Sequence, residues 1–210
     1  MRFKGRTVWI TGASSGIGEA VALAFCAEGA EVIASARSVS KLEEVRSRAA
    51  HPDNFHIVQL DMADSDAIGS VAADILAKFP RIDILFNNAG ISQRSKALDT
   101  PEHVDRQIME VDYFGPVKLT KAVLPRMISQ GGGHILCTSS IVGVFGFPLR
   151  SSYSAAKHAM HGFFESIRAE YYDNGIKVGI VIGRRINTPI SISALTSDGH
   201  PSRQMHHVQH

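Results

Sequence analysis

Hydrophobic and polar positions follow two alternating patterns along the chain. Short apolar or β-branched runs are separated by longer stretches in which apolar residues recur at helical spacing. The first pattern is typical of buried strands, the second of amphipathic helices, and their alternation indicates βαβ units on a mostly parallel sheet. It predicts strands over 6–11, 31–36, 55–60, 83–87, 133–139 and 176–182, and helices over 16–29, 40–50, 64–79, 101–129 and 152–173.

Turn and capping residues mark several of the predicted helix ends. Thr100 before Pro101 is typical of an N-cap followed by proline at the first helical position. Gly29 and Gly175 lie at the predicted ends of two helices, where glycine typically forms the C-cap. We therefore expect the fourth predicted helix to begin at Pro101.

The length of 210 residues and the hydrophobic content of 44% suffice for one sizeable core. We expect a single domain over 1–190. The last stretch, 191–210, is polar and rich in turn residues, so we expect a short substrate-loop remnant or a disordered tail there.

The charges are balanced, with 22 Lys and Arg against 20 Asp and Glu and no block of one sign. This favours a small-molecule partner over nucleic acid or a membrane. Cys26 and Cys137 lie among apolar residues and read as free thiols of a reducing compartment. Because the first strand follows Met1 almost at once and no apolar run approaches the length of a membrane span, we expect a cytoplasmic protein.

A glycine-rich turn joins the first predicted strand to the first helix, in the segment 8–18. Glycines at 12, 16 and 18 allow a sharp turn and let a pyrophosphate approach the N–H groups at the helix start. The spacing differs from that of the commoner dinucleotide fingerprint, but the strand-turn-helix context is the same. The sequence therefore predicts a dinucleotide site on a three-layer Rossmann fold of class α/β, with six strands, a seventh left open, and helices on both faces.

Arg37 follows the second predicted strand, where an acidic residue would bind the ribose diol of NAD. Its planar guanidinium instead suits a 2′-phosphate. The sequence thus favours NADP(H), with NAD(H) as the open alternative.

Tyr153 and Lys157 are four positions apart in a predicted helix and so share one face of it. An ammonium near a phenol favours the phenolate and lowers the pKa of the hydroxyl. The pair is therefore a candidate acid/base device. Ser140, 13 residues earlier at the end of a predicted strand, lies where ligands bind in open α/β sheets.

These motifs together resemble the short-chain dehydrogenase/reductase family over roughly residues 6–182. The resemblance rests on the turn 11–18, Asp61, the segment 87–90, Ser140, and the Tyr153/Lys157 pair. The segments 111–115 and 151–168 further resemble the member 7 subgroup of that family.

The resemblance implies an oxidoreductase that acts on CH–OH groups with NAD(P). Tyr153 would exchange the proton with the substrate oxygen, and Ser140 would orient the carbonyl. Lys157 would hold the nicotinamide ribose, and Thr188 would reach the carboxamide. The implied cofactor-binding residues are Gly12, Ser14, Ser15, Gly16, Ile17, Gly18, Arg37, Asp61, Met62, Asn88, Ala89, Gly90, Tyr153, Lys157 and Thr188.

Three features depart from the family pattern. Asp112 stands where the family usually has an asparagine that braces a helix bend and a water relay to the lysine, and we expect it to serve as a catalytic relay residue. Gly183-Arg184 replaces a Pro-Gly pair near the nicotinamide. The chain also ends early for the family, so we expect part of a substrate lid and an edge strand to be absent, and homo-oligomer formation is left open.

The leading hypothesis is an NADP(H)-dependent enzyme that interconverts a secondary alcohol and a ketone or aldehyde on a lipophilic small molecule. A catalytically impaired or non-catalytic dinucleotide-binding protein is the alternative, motivated by the departures above. An epimerase or dehydratase on the same fold is a third reading. Tail histidines at 200, 206, 207 and 210 lack the spacing of a metal site, so we expect no metal.

Overall fold

The six predicted strands form one parallel sheet. The computed structural model describes residues 1–183, 190 and 192–202. Its strands are β1 (Thr7–Thr11), β2 (Glu31–Ala36), β3 (Phe55–Gln59), β4 (Ile84–Asn87), β5 (Gly133–Ser140) and β6 (Ile176–Gly183). Their order is β3-β2-β1-β4-β5-β6, with every pairing parallel. The order reverses direction between β1 and β4, and a crevice at such a switch point is where α/β sheets bind ligands.

Helices cover both faces of this sheet, which confirms the predicted Rossmann architecture. They are α1 (Gly16–Ala27), α2 (Val39–Arg46), α3 (Ser65–Lys78), α4 (Glu102–Met109), α5 (Gly115–Ser129) and α6 (Ser151–Glu170). One apolar cluster contains Trp9, Leu119 and Phe164, a second contains Ile10, Ala22 and Leu42, and a smaller third contains Val104, Ile108 and Ala156. Because side chains alternate along β1, Trp9 and Ile10 reach opposite clusters.

The single helix predicted over 101–129 is interrupted. A π-helical turn, Glu110–Phe114, separates α4 from α5. The prediction of an N-cap at Thr100 was also wrong by one residue, because Pro101 occupies that position and α4 begins at Glu102. The periodicity of apolar residues continues through the π turn, so the sequence pattern did not reveal the break.

Gly29 ends α1 as predicted, whereas the predicted helix C-cap at Gly175 was wrong, because α6 already ends at Glu170 with Tyr171 as its C-cap. Gly29 has a φ of +85° and Gly175 a φ of +74°, values that L side chains rarely adopt. At the end of α1, the Ala30 amide also donates to the carbonyl of Phe25, as in a Schellman-type C-cap. Each glycine turns the chain into the strand that follows.

Asp83 anchors the start of β4 to the start of β1. Its side chain is 7% exposed and accepts hydrogen bonds from the Thr7 amide at 3.0 Å, from Arg6 at 2.8 Å and from Arg81 at 3.0 Å. Burial acts to raise the pKa of Asp83, but the amide and the two guanidinium groups outweigh it and hold the pKa below 3.8. The ionised carboxylate therefore stabilises the folded state.

We predict that Asp83→Asn lowers the free energy of unfolding at pH 7 by about 1–3 kcal/mol, the usual worth of hydrogen bonds to a charged group. A group with a depressed folded pKa stabilises above its unfolded pKa and loses that contribution as pH falls through the folded value. The difference between variant and wild type should therefore shrink below pH 3.8. Urea unfolding at pH 7 and at pH values below that point measures it.

Asp74→Asn is the matched control, because Asp74 is exposed on α3. An equal loss of stability in both variants, or a difference at position 83 that persists in acid, would contradict the assignment.

Candidate active site

A large cleft opens at the carboxyl ends of the central strands. It encloses about 1350 Å³, more than the roughly 300–1,000 Å³ of an ordinary small-ligand pocket. The sequence-predicted residues that line it are Gly12, Ser14, Ser15, Gly16, Ile17, Arg37, Asp61, Met62, Asn88, Ala89, Gly90, Ser140 and Tyr153. The cleft therefore has room for a dinucleotide and a substrate side by side.

Three of the predicted site residues that the structure describes do not line the cleft. Gly18, Asp112 and Lys157 are buried beneath its wall. Thr188 lies outside the described residues, as does Arg184 of the Gly183-Arg184 pair. The proposed contacts of Thr188 and Arg184 with a nicotinamide stay predictions.

The glycine-rich turn has the backbone of a phosphate cradle. Gly12 and Gly16 have φ values of +66° and +59°. A Cβ on Gly18 would overlap the carbonyl oxygen of Gly12, so the turn packs directly on the helix start. In the part of the chain that the structure describes, no side chain caps α1 at Ser15. The N–H groups and positive dipole of this helix start are thus available to a pyrophosphate, and the residues present fit a dinucleotide.

Hydrogen bonds join the glycine-rich turn to the ends of the neighbouring strands. Thr11 Oγ1 accepts hydrogen bonds from the amides of Asn88 and Ala89, both at 3.0 Å. The Asn88 side chain donates to the Thr11 carbonyl at 3.1 Å and accepts from Thr138 Oγ1 at 2.9 Å. These bonds fix the floor of the cleft across β1, β4 and β5. Sequence reasoning gave Thr138 no role, because only the sheet order brings it beside Asn88.

Cationic side chains gather at the end of the cleft formed by β2 and α2. Arg37 and Lys41 both line it, and the Arg37 side chain is exposed. The Arg37 backbone is held by the Gln59 amide, which donates to its carbonyl at 3.1 Å. Asp61 lines the same end, with its carboxylate turned back onto the Ala63 amide at 3.0 Å. This end suits an anionic group near a nucleoside.

The catalytic candidates meet where β5 ends and α6 begins. Tyr153 is half-buried at the cleft wall, and Lys157 Nζ lies one helical turn further, 5.5 Å from the Tyr153 ring centroid. Lys157 Nζ donates to the Thr138 carbonyl at 3.1 Å. Ser140, at the last position of β5, lines the cleft beside Tyr153 and accepts a long 3.5 Å hydrogen bond from the Val142 amide. The structure therefore brings the predicted hydroxyl pair together.

Asp112 is fully buried and points at Lys157. Its Oδ2 lies 3.0 Å from Lys157 Nζ, and its Oδ1 accepts from the Ile91 amide at 2.8 Å. A Cβ on Gly90 would lie 3.0 Å from the same carboxylate, so the loop after β4 packs tightly on it. The π turn that carries Asp112 directs its side chain into this interior position.

Burial and charge together set the proton affinities of the site. Burial acts to lower the pKa of Lys157, but the Asp112 carboxylate and Tyr153 outweigh it, so the pKa is raised. Burial raises the pKa of Asp112, opposed by Lys157 and the Ile91 amide. Burial also raises the pKa of Tyr153; Lys157 and Ser140 oppose the rise, and Asp112 adds to it. The expected lowering of the phenol pKa by the ammonium is thus present but outweighed.

The opposite end of the cleft carries two arginines that sequence reasoning missed. Arg150, just before α6, donates to Ser92 Oγ at 2.7 Å and to the Gln93 carbonyl at 2.6 Å. Arg94 also lines the cleft, and together with burial its charge lowers the pKa of Arg150. Apolar side chains at 147, 149 and 190 line the same region. This end is therefore both apolar and cationic.

The described residues contain neither a metal-binding cluster nor a membrane-spanning helix. No group of three or more His, Cys, Asp or Glu side chains is placed to hold a metal ion within those residues. None of the described helices is long and apolar enough to cross a membrane. The tail histidines at 206, 207 and 210 lie outside the described residues. Cys26 and Cys137 are buried free thiols.

Comparison with known proteins agrees with this geometry. The family model for short chain dehydrogenase matches residues 6–198. The chain is 45% identical to Dehydrogenase/reductase SDR family member 7B of Rattus norvegicus over 199 residues, which cover 91% of this chain and 61% of that relative. The chain thus spans less than two thirds of the length of that relative.

Solved structures show the same fold. A short-chain dehydrogenase from Streptomyces avermitilis superposes with a TM-score of 0.82 at 40% identity, covering 87% of this chain and 67% of the other. A metagenomic short-chain oxidoreductase solved in complex with NADP gives a TM-score of 0.82 at 29% identity, covering 89% and 85%. With the cradle, the hydroxyl pair and the matched family model in agreement, the chain belongs to the short chain dehydrogenase family.

Proposed function

We propose that this protein is an NADP(H)-dependent oxidoreductase that interconverts a secondary alcohol and a ketone or aldehyde on a lipophilic small molecule. The observation that carries the proposal is the placing of the Tyr153 and Ser140 hydroxyls at the cleft, directly above the buried Lys157–Asp112 pair. Cytoplasmic location, homo-oligomer formation and the division of the chain at 190/191 remain predictions.

The chemistry follows from what each side chain offers. Bound NADP(H) would supply the hydride, and the reduced carbonyl oxygen would then need a proton and a stabilising hydrogen bond. Ser140 supplies the hydrogen bond that orients the oxygen. Tyr153 supplies the proton from the same wall of the cleft.

The electrostatics favour reduction at neutral pH. Because burial raises the pKa of Tyr153, its hydroxyl is protonated at pH 7 and serves as a proton donor. The Asp112 carboxylate balances the Lys157 ammonium at 3.0 Å, so the phenol does not face an unopposed positive charge. A protonated phenol matches the needs of a carbonyl that is gaining negative charge.

The cationic adenosine end supports NADP(H). Arg37 and Lys41 line it from the end of β2 and the start of α2. Guanidinium binds phosphate through a planar fork of donors, and an added ammonium strengthens the local positive potential. The metagenomic relative solved with NADP is consistent with this choice.

The substrate end supports a largely apolar molecule. Phe147 and Leu149 line the cleft and are 57% and 37% exposed, so a ligand that covers them gains apolar contact. Arg150 is held by Ser92 and the Gln93 carbonyl, whereas Arg94 has no carboxylate partner among the described residues. A substrate with an apolar body and a hydrogen-bond acceptor fits both features.

The alternative of an impaired enzyme is motivated by Asp112 and by Gly183-Arg184. In the structure Asp112 forms an ion pair with Lys157 and accepts a hydrogen bond from the Ile91 amide, which favours a working role for the carboxylate. The alternative predicts cofactor binding without turnover, and the first experiment below separates the two.

We predict that the wild-type protein consumes NADPH with large apolar ketones and that Tyr153→Phe lowers kcat by about 10²-fold or more, because the proton donor is lost. NADPH oxidation over ketones of increasing size, each with and without an added carboxylate, measures it. Binding of NADPH, followed by fluorescence, should persist in the variant.

Tyr172→Phe is the matched control, because that residue is 75% exposed and is not among the residues that line the cleft. NADPH binding without turnover over the whole panel would contradict the proposal and favour the impaired protein.

We predict that Arg37→Ala weakens NADPH binding by about 10-fold to 100-fold, which corresponds to the loss of one charge-assisted hydrogen bond. NADH binding should change little, because NADH lacks the 2′-phosphate. Calorimetric titration with both cofactors measures the two dissociation constants.

The control is Arg46→Ala, an exposed arginine of α2 that pairs with Glu43 instead of lining the cleft. Equal weakening of both cofactors in Arg37→Ala would remove the argument for a 2′-phosphate contact.

We predict that Asp112→Asn shifts the alkaline limb of the pH profile of kcat/KM for reduction to lower pH. The Asp112 charge raises the pKa of Tyr153, so its removal lets the phenol ionise at lower pH and lose its donor proton. Rates measured across neutral and alkaline pH give the limb, with urea unfolding in parallel.

Glu110→Gln provides the control, since Glu110 is exposed in the same π turn. An alkaline limb that does not move in Asp112→Asn would refute the electrostatic role. A large rise in turnover at unchanged stability would instead show that the carboxylate is a defect.

A further inference from the structure

A side-chain hydrogen bond joins α6 to β5 beside the catalytic serine. Ser139 is 4% exposed, and its Oγ lies 2.7 Å from Nε2 of His161. His161 follows Lys157 by one helical turn and Tyr153 by two, so all three side chains project from one face of α6. The bond therefore links the catalytic face of the helix to the residue that immediately precedes Ser140.

The space around this bond is closed on the cleft side. Gly143 belongs to the short 3-10 turn that follows Ser140. A Cβ there would lie 2.7 Å from Ser139 Oγ, 3.0 Å from Lys157 Cβ and 3.3 Å from His161 Nε2. The backbone of the turn thus packs directly on both partners, and a change in their spacing must move the turn.

A second bond acts one residue earlier. Lys157 Nζ donates to the Thr138 carbonyl at 3.1 Å. Consecutive residues of β5, Thr138 and Ser139, are therefore each held by α6. Ser140 follows at the end of the strand, where its hydroxyl accepts a 3.5 Å hydrogen bond from the Val142 amide. The two contacts thus tie the end of β5 to α6 immediately before Ser140.

We propose that His161 is a positioning residue for carbonyl reduction, acting through Ser139 to hold the Ser140 hydroxyl in register with Tyr153. The inference rests on the proposed function, since it needs the Ser140 and Tyr153 hydroxyls to share one substrate oxygen. Catalytic groups must be held to a fraction of an ångström, and a misplacement of about 1 Å can cost 10²-fold in rate.

The surroundings of His161 keep the imidazole neutral at pH 7. Burial lowers the pKa of His161, and the charges of His158 and Lys157 lower it further, against the opposing effect of Glu165. A neutral ring either accepts from the Ser139 hydroxyl or donates to it, according to its tautomer. Both arrangements fix the same 2.7 Å contact.

Four variants separate positioning from a merely structural role. His161→Leu removes the hydrogen bond, His161→Gln keeps an amide that can remake it, and Ser139→Ala removes the partner. The fourth is the double variant of Ser139→Ala with His161→Leu. His158→Leu is the matched control, because His158 is exposed on the same helix and, among the described residues, its ring hydrogen-bonds to the Ser154 carbonyl of its own helix.

The expected result is a fall in kcat of about 10-fold to 100-fold in His161→Leu and in Ser139→Ala, with recovery in His161→Gln. The double variant should lose no more than either single variant, because both changes break one bond. The NADPH dissociation constant should stay at the wild-type value. Hydrogen–deuterium exchange should accelerate over 138–143 in the Leu variant and remain slow in the Gln and His158→Leu variants.

Failure of this inference is distinguishable from failure of the proposed function. If the wild type is active and His161→Leu keeps the wild-type kcat, the positioning role alone is wrong. The same conclusion follows if His161→Gln loses as much kcat as His161→Leu. Additive losses in the double variant also overturn it. A wild type that reduces no carbonyl overturns the proposed function and the catalytic part of the inference together, whatever the exchange data show.

Discussion

The site depends on a buried ion pair. Transferring a carboxylate and an ammonium from water to a protein interior costs several kcal/mol per ion unless each is paired and hydrogen-bonded. Here Asp112 and Lys157 lie 3.0 Å apart, the Ile91 amide donates to the carboxylate, and the Thr138 carbonyl accepts from the ammonium. The π turn, the loop after β4, β5 and α6 must all be in place to satisfy these charges, so the pair couples formation of the site to completion of the fold.

The parallel sheet brings the remaining parts to one edge. Strand ends β1, β4 and β5 are adjacent in the order of the sheet, so Thr11 and Thr138, 127 positions apart in the chain, both hydrogen-bond to Asn88. Thr11, Asn88 and Thr138 use this adjacency to form continuous hydrogen bonds across the three strand ends. The glycine-rich turn is thereby fixed to the strand that carries Ser140, so the candidate cofactor site and the candidate catalytic residues share one support.

The sequence predicted features that follow from local pattern and missed those that follow from tertiary proximity. Alternating apolar runs located all six strands, and the glycine turn was placed by its strand-turn-helix context. The π turn was missed because one extra residue per turn barely changes apolar periodicity over five residues. The Ser139–His161 bond and the position of Arg150 depend on partners 22 and about 57 residues away, which no local pattern reveals. The direction of the Tyr153 pKa shift likewise could not be predicted from the spacing to Lys157, because burial of the phenol is its largest cause.

The aspartate at 112 changes the electrostatic problem at Tyr153. An unopposed buried ammonium one turn away would favour the phenolate and prepare the tyrosine to accept a proton. A carboxylate 3.0 Å from that ammonium opposes the effect of the ammonium on the phenol. Burial is then the dominant influence on the pKa of Tyr153 and favours the protonated hydroxyl. The same lysine remains charged, because its own pKa is raised by the carboxylate. One carboxylate thus preserves the charge of Lys157 while weakening the effect of that charge on the Tyr153 hydroxyl.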